Sequence, residues 1–264
     1  MIYDIQKASF SKRLSAYILD FILLVILITG VAWLLSVVFG YDSHLETIEQ
    51  KRAFYSAQYS TEDFKIDFEI SSTDYEKLTE EERKLLDQAY AEFSKDETVI
   101  KEYNVLYSLI VLMVSISVLV AHLILEFILP LILKNGQTVG KKIFGIAVVH
   151  SNCVRISHLT LFVRSILGKY TIETMIPVIC TIMIIFTATG VSTFPVTTGL
   201  AIIFLLFAVQ IAMLCASKNN TVIHDLISDT VAVDLSSQMI FKDKEALTKY
   251  IEEQHKKKVE NSVY

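Results

Sequence analysis

Two carboxylic acids, Asp20 and Glu126, sit inside uninterrupted apolar runs, LSAYILDFILLVILITGVAWLLSVVF and LYSLIVLMVSISVLVAHLILEFILPLIL. A carboxylate in hydrocarbon costs about 2.5–3.5 kcal/mol on insertion scales, so it is rarely placed there without a partner or a task. Tyr17 lies three residues before Asp20, and Arg13 four before that; on a helix the three share a face. His122 lies four residues before Glu126, again on one face. If the two helices are neighbours, Asp20, Glu126, His122 and Tyr17 form a buried polar cluster with Arg13 at its mouth. Two carboxylates in low dielectric do not both stay ionised without a cation, so one holds or shares a proton. That is the chemistry of a proton- or cation-binding site. The competing reading is structural: Arg13 or a lysine neutralises Asp20, and the cluster pins helix packing.

The elements that would position these residues follow from hydropathy. The chain has 264 residues, 53% of them hydrophobic. Its mean hydropathy is +0.48. Four apolar runs, near 14–39, 105–133, 172–189 and 196–216, approach or exceed the ~20 residues a spanning helix needs. The third is shortest and holds Pro177. The first is too long for a signal-peptide core of about 7–15 residues and reads as a retained anchor. Cys153, Cys180 and Cys215 lack C-x-x-C spacing and read as small apolar residues.

Charge sets the expected topology. Lys7, Lys12 and Arg13 precede the first run. Residues 134–171 carry Lys134, Lys141, Lys142, Arg155, Arg164 and Lys169 and no acid, and the tail carries Lys218 and Lys256–Lys258. Basic segments stay cytoplasmic. Residues 42–103 hold 17 acidic against 8 basic residues and belong outside. The expected fold is an all-α membrane protein with four transmembrane helices, N-in/C-in, a helical extracellular insertion and a small cytoplasmic β-hairpin element. Its segments are 1–41 (lead and first span), 42–103 (acidic cap), 104–133 (second span), 134–171 (basic inner segment), 172–216 (third and fourth spans) and 217–264 (tail).

Within the insertion, Thr79 with Glu82 predicts a capping box, followed by Leu85, Leu86, Ala89, Tyr90 and Phe93 at helical spacing. A further helix is expected near His44–Gln58. In the inner segment, Asn135-Gly136 marks a turn, Ile143–Ile156 reads as a hairpin around Ser151-Asn152, and Leu159–Tyr170 as an interfacial helix. Thr230–Val233 offers a third strand. Lys141 and Lys142 are expected to face anionic headgroups. Gly136-Gln137-Thr138-Val139-Gly140-Lys141-Lys142 is one residue short of a phosphate loop between its glycines and lacks the following Ser or Thr. His224-Asp225 reads as a helix cap or as a partner for a nearby basic residue rather than a metal site, and Glu173 as an interfacial acid. No catalytic Ser-His-Asp or Cys-His set is present in the pattern, so no enzyme, cofactor or metal is expected, and no nucleic acid.

Three motifs in order resemble the RDD family of membrane proteins, called after one arginine and two aspartates. They are KRLSAYILD, with Arg13 and Asp20; GQTVGKKIFGIAVV, from Gly136; and HDLISDTVAV, with His224 and Asp225. The resemblance covers about 7–41 and 104–234 and makes Asp225 the second aspartate. The chain departs from the family in having Ser228-Asp229 where Ala-Gly is common, and in its long acidic insertion. The resemblance implies transport of ions or small solutes. The function expected is proton- or cation-coupled transport through the carboxylate cluster, in a multi-pass bacterial cell-membrane protein. Four spans are few for a transporter, so a homo-oligomer or a hetero-partner is expected. The alternative is a non-transporting assembly or partner-binding protein that acts through 42–103.

Overall fold

The computed structural model describes residues 5–217 and 220–262. Lys218 of the charge argument lies outside the described residues. The chain divides into two compact units, residues 30–116 and the remainder.

Four helices among the described residues are long and apolar enough to cross a membrane: α1 (Phe10–Val38), α5 (Glu97–Leu133), α7 (His158–Ala188) and α8 (Val196–Ala216). They are apolar all round, and Phe21, Trp33, Phe204 and Ile211 stand more than half exposed on them. Such sides suit lipid rather than water. The shorter elements are α2 (Tyr41–Tyr59), α3 (Ser72–Tyr75), α4 (Glu80–Lys95), α6 (Val139–Ile143), α9 (Ile223–Ile227) and α10 (Lys244–Ser262), with strands β1 (Ile146–His150) and β2 (Thr230–Asp234).

Unit 30–116 holds the acidic insertion, which folds around its own core. The capping box is formed: the Thr79 N–H donates to Glu82 at 2.7 Å and the Glu82 N–H returns to the Thr79 hydroxyl at 3.3 Å. From that start α4 runs with Leu86, Ala89 and Phe93 buried. Ile48 of α2 joins Phe93, Val99 and Leu106 in one cluster, and Ile66 joins Leu86 and Ala89 in another. Fully burying one such aliphatic or aromatic side chain is worth roughly 1.5–3 kcal/mol, enough here to order a segment that lacks Pro and Gly. Asp96 then starts α5 by accepting from the Thr98 and Val99 N–H groups, while Lys51 reaches it at 2.8 Å.

In the other unit two sequence expectations are corrected. The inner segment is not a self-contained hairpin. The β1 strand pairs antiparallel with β2 over five residues, Ile146 opposite Asp234 through His150 opposite Thr230. After the Ser151–Cys153 turn the returning chain makes only an isolated bridge back to β1 among the described residues, Val149 with Arg155, and a second, parallel one from Val154 to Phe241. Long-range pairing wins because Ala147, Val149, Val231 and Val233 bury together as one apolar layer. Nor is Leu159–Tyr170 a separate interfacial helix. It is the first part of α7, which continues through Pro177.

Both prolines inside spans are accommodated in the same way. Residues Leu123–Ile128 and Val163–Met175 have the wider i→i+5 ladder of a π-helix, and each segment ends shortly before a proline, Pro130 or Pro177. Proline lacks an N–H and its ring crowds the carbonyl four residues back, which belongs to Glu126 in one case and Glu173 in the other. The widened turn relieves that crowding without breaking the helix. It also rotates the side chains within it, and both acids lie in such a segment.

Candidate functional site

Asp20 is held by the glycine-rich turn. Thr138 is the N-cap of α6, its hydroxyl accepting from the Lys141 N–H. The same hydroxyl donates to Asp20 Oδ2 at 2.5 Å, and the Gly140 N–H donates to Oδ1 at 2.7 Å. Both carboxylate oxygens are therefore occupied, and the negative charge meets the positive end of a short helix. Gly140 is required for this approach: a Cβ there would lie 2.3 Å from the Ala16 carbonyl oxygen of α1. Gln137 anchors the turn from the other side, its amide donating to the Ile146 carbonyl at 2.8 Å. Gly136 takes φ +62. A Cβ at Gly136 would also meet the Ile156 side chain at 2.6 Å. The turn residues thus form a latch between α1 and the sheet, rather than a phosphate cradle.

A second cluster gathers the remaining motif charges. Asp225 is fully buried and accepts from Arg164 Nε and Nη2 at 3.1 and 2.8 Å and from the Thr230 hydroxyl at 3.3 Å. Arg13 Nη2 lies 3.4 Å from its second oxygen, and Arg13 Nη1 donates to the Asn220 carbonyl. Burial opposes ionisation of Asp225, but His224, Arg164 and Arg13 outweigh it and hold the carboxyl well below its usual range. Beside it, the His224 N–H and Nδ1 both contact Glu173, at 3.0 and 2.8 Å. Gly168 of α7 makes room for this packing, since a Cβ there would lie 2.6 Å from His224 Cβ. The family's glycine position before the threonine is filled by Asp229, at φ +49. Aspartate tolerates that left-handed conformation better than most residues do. Ser228 adds hydroxyl bonds to the His224 carbonyl and to Thr230.

The third feature is a cavity of about 240 Å³ whose walls include Tyr17, Asp20, His122, Glu126, Lys169 and Glu173. Glu126 is paired with Lys169 at 2.5 Å through Oε1, and its Oε2 has no hydrogen-bond partner among the described residues. His122 donates from Nδ1 to the Val118 carbonyl at 2.9 Å and meets the Thr174 hydroxyl through Nε2 at 3.1 Å. Tyr17 stacks on Phe21 at the cavity edge.

The four residues expected to cluster therefore do line one cavity, but their pairing differs from expectation. Asp20 and Glu126 do not share a proton, because Asp20 is committed to the turn and Glu126 to Lys169. Arg13 is not the counter-charge of Asp20; it belongs to Asp225. Lys141 does not face headgroups, since its ammonium is buried, with no hydrogen-bond partner among the described residues. Glu173 is not an open interfacial acid but the partner of His224. Arg164, Lys169 and Glu173 were read only as basic or interfacial charges, and Gly168 was not singled out, so their parts in the site escaped the sequence reading. One signal was available: Glu126 and Glu173 each precede a proline by four residues.

Four apolar helices around buried ionisable clusters define a multi-pass membrane protein. The sequence matches the model of the RDD family over residues 7–229, well over half of the chain, and the protein belongs to that family. Neither a curated protein nor a solved structure matches it.

Proposed function

We propose that this chain is a proton- or cation-coupled carrier of an ion or small solute, working through Glu126 in the cavity. The supporting observation is a carboxylate at a cavity wall that spends one oxygen on a single lysine and keeps the other without a hydrogen-bond partner among the described residues. Ionisable groups within spans are expensive and mark ion or proton pathways. An incoming cation competes with Lys169 for Glu126, and protonation of Glu126 releases Lys169. Either event changes the charge that α5 and α7 present to each other. The π segments that hold both residues give each helix a place to flex. The positive-inside rule puts the glycine-rich turn, the sheet and both termini on the cytoplasmic side and the insertion outside. Asp20, six residues beyond Leu14, then lies about 9 Å inside the membrane at ~1.5 Å per residue. Its task in this reading is to fasten the turn.

A second reading has a specific observation behind it. The insertion has its own buried core and its own capped helix, so it is ordered enough to recognise a partner protein without any transport.

The test is flux of Na⁺, K⁺ and H⁺ in proteoliposomes. Wild type should move at least one of them, and Glu126→Gln should lose flux while remaining folded and monodisperse. Asp20→Asn should lower folded yield rather than selectively remove flux. A wild type that moves none of the three ions would sink the carrier reading and leave partner binding through 42–103, tested by deleting the insertion.

A further inference from the structure

Most polar groups on the walls of the Glu126 cavity are already spent on the protein. Asp20 gives both oxygens to the glycine-rich turn, and Glu173 gives both to His224. His122 uses both ring nitrogens, on the Val118 carbonyl and the Thr174 hydroxyl. The Lys169 ammonium is on Glu126 Oε1. Two wall groups stay uncommitted among the described residues. One is Oε2 of Glu126, a residue only 7% exposed. The other is the Gln210 amide, which makes no hydrogen bond there and interrupts the apolar run of α8. A polar group in an apolar setting is costly without a partner, so both sites call for a polar occupant. Gln210 lies six residues before the end of α8 at Ala216, about 9 Å from it at ~1.5 Å per residue, which matches the depth of Asp20. Phe21, Leu24, Val178 and Phe207 supply apolar and aromatic wall between these groups.

We propose that the cavity binds a small organic ammonium, a primary amine with a short apolar tail, with its head at Glu126 and Gln210 and its tail against Phe21 and Phe207. This rests on the carrier reading of Glu126 and names the solute class for it. An ammonium offers three N–H donors and no acceptor, and the uncommitted groups are a carboxylate oxygen and an amide that can turn its oxygen inward. The charge on the walls has the matching sign, with Asp20, Glu126 and Glu173 against Lys169 alone. The faces of Phe and Tyr rings attract a desolvated cation in addition.

A bare metal cation fits less well. It exchanges its hydration shell for a ring of oxygens, and the uncommitted oxygens here are too few and stand among apolar walls. The volume of about 240 Å³ also exceeds what one such ion fills. It has room for about eight waters at about 30 Å³ each, the scale of a solute of a few heavy atoms. The same ammonium chemistry is carried by a free amine and by the headgroup of phosphatidylethanolamine, so the experiment includes both sources.

The experiment is calorimetric titration of the full chain in phosphatidylcholine nanodiscs at neutral pH and constant ionic strength, with n-butylammonium chloride as the probe. Saturable binding is expected, weakened about tenfold or more by Glu126→Gln and by Gln210→Leu (one tenfold step is about 1.4 kcal/mol). Glu126→Gln strands Lys169 and can cost folding, so Gln210→Leu, which only makes α8 more apolar, keeps the proposal testable. Ile211→Val, at the neighbouring exposed position, should leave affinity unchanged. n-Butanol, of similar shape without the charge, should bind at least tenfold more weakly. Equal binding of butanol, wild-type affinity in Gln210→Leu, or binding of Na⁺ or K⁺ but not of butylammonium would each overturn the proposal. Binding that persists when the nanodiscs contain phosphatidylethanolamine is expected for a free amine; displacement by that lipid would overturn the free solute and assign the site to the headgroup. Counterflow of labelled butylammonium in proteoliposomes separates this proposal from the carrier reading. Binding with these dependences but no counterflow or ion flux overturns the carrier reading alone, and ion flux without amine binding overturns this proposal alone.

Discussion

The insertion and the membrane body use the same charged residue types in opposite ways. In the insertion, ion pairs keep at least one partner in contact with water: Lys77 and Asp74 are three residues apart and both more than half exposed, and even the long-range Lys51–Asp96 pair leaves a third of the lysine side chain exposed. In the body, Arg13, Arg164 and Asp225 come from three distant parts of the chain, and Asp225 has no exposed side-chain surface. Exposed pairs contribute about 0–1 kcal/mol, whereas breaking a buried one costs about 3–5 kcal/mol because it leaves a charge without compensation. The insertion's stability should therefore rest on its apolar core and helix caps. The body's should rest on a few polar contacts that cannot be removed singly.

The largest expected effect is at Asp225. Replacing it with Ala strands Arg164 and Arg13 in a buried site, a loss of about 3–5 kcal/mol. Size-exclusion profiles and thermal melts in mild detergent should show little folded protein. A melt within a few degrees of wild type would erase the contrast between the two regions. Gly168→Val should follow, at about 1–3 kcal/mol, because its side chain would collide with His224. If that variant melts normally, the close approach of α7 and α9 is not a constraint.

Smaller effects belong to the insertion. Asp96→Ala removes a helix cap and should cost about 0.5–2 kcal/mol, localised by hydrogen exchange to the start of α5. The same residue predicts a pH effect. Its hydrogen bond from Lys51 holds the carboxyl well below the usual range, and burial only partly opposes this. The folded value lies below the unfolded one, so the stabilisation is present at neutral pH. It is lost as pH falls through and below the unfolded value of about 3.9. Faster exchange at pH 3 than at pH 5, corrected for intrinsic rate, would show it; equal protection would count against it. Thr79→Ala should be mildest, about 1 kcal/mol, fraying the first turn of α4. A Thr79 effect as large as that of Asp225 would show that the insertion, too, depends on single polar contacts.

Elements whose signal is local were readable from the chain. Hydropathy placed the four spans, because a bilayer demands length and apolarity from each segment separately. The Thr79–Glu82 box and the apolar face of α4 were readable for the same reason, as was the helix across 44–58, observed as α2. The turn at Asn135-Gly136 followed from residues that accept positive φ, which Asn135 and Gly136 both have. Sequence also determined which residues are too costly to bury idly; Asp20, Glu126, His122 and Tyr17, which it singled out, line one cavity, although Tyr17 is exposed rather than buried.

Which charge meets which was decided by tertiary structure. Arg13 and Asp20 are seven residues apart on one helix, yet one turns to Asp225 and the other to the Thr138 hydroxyl and the Gly140 N–H. No spacing rule forecasts a partner more than a hundred residues away. Lys169 and Glu173 lie in a π segment, where a 3.6-residue period does not assign faces. The pairing of β1 with β2 likewise depended on where α7 and α8 return the chain. Local periodicity fixes what a segment is, and the low dielectric of the interior then rewards pairing buried charges, such as Asp225 with Arg164 and Glu126 with Lys169, wherever the fold brings partners together.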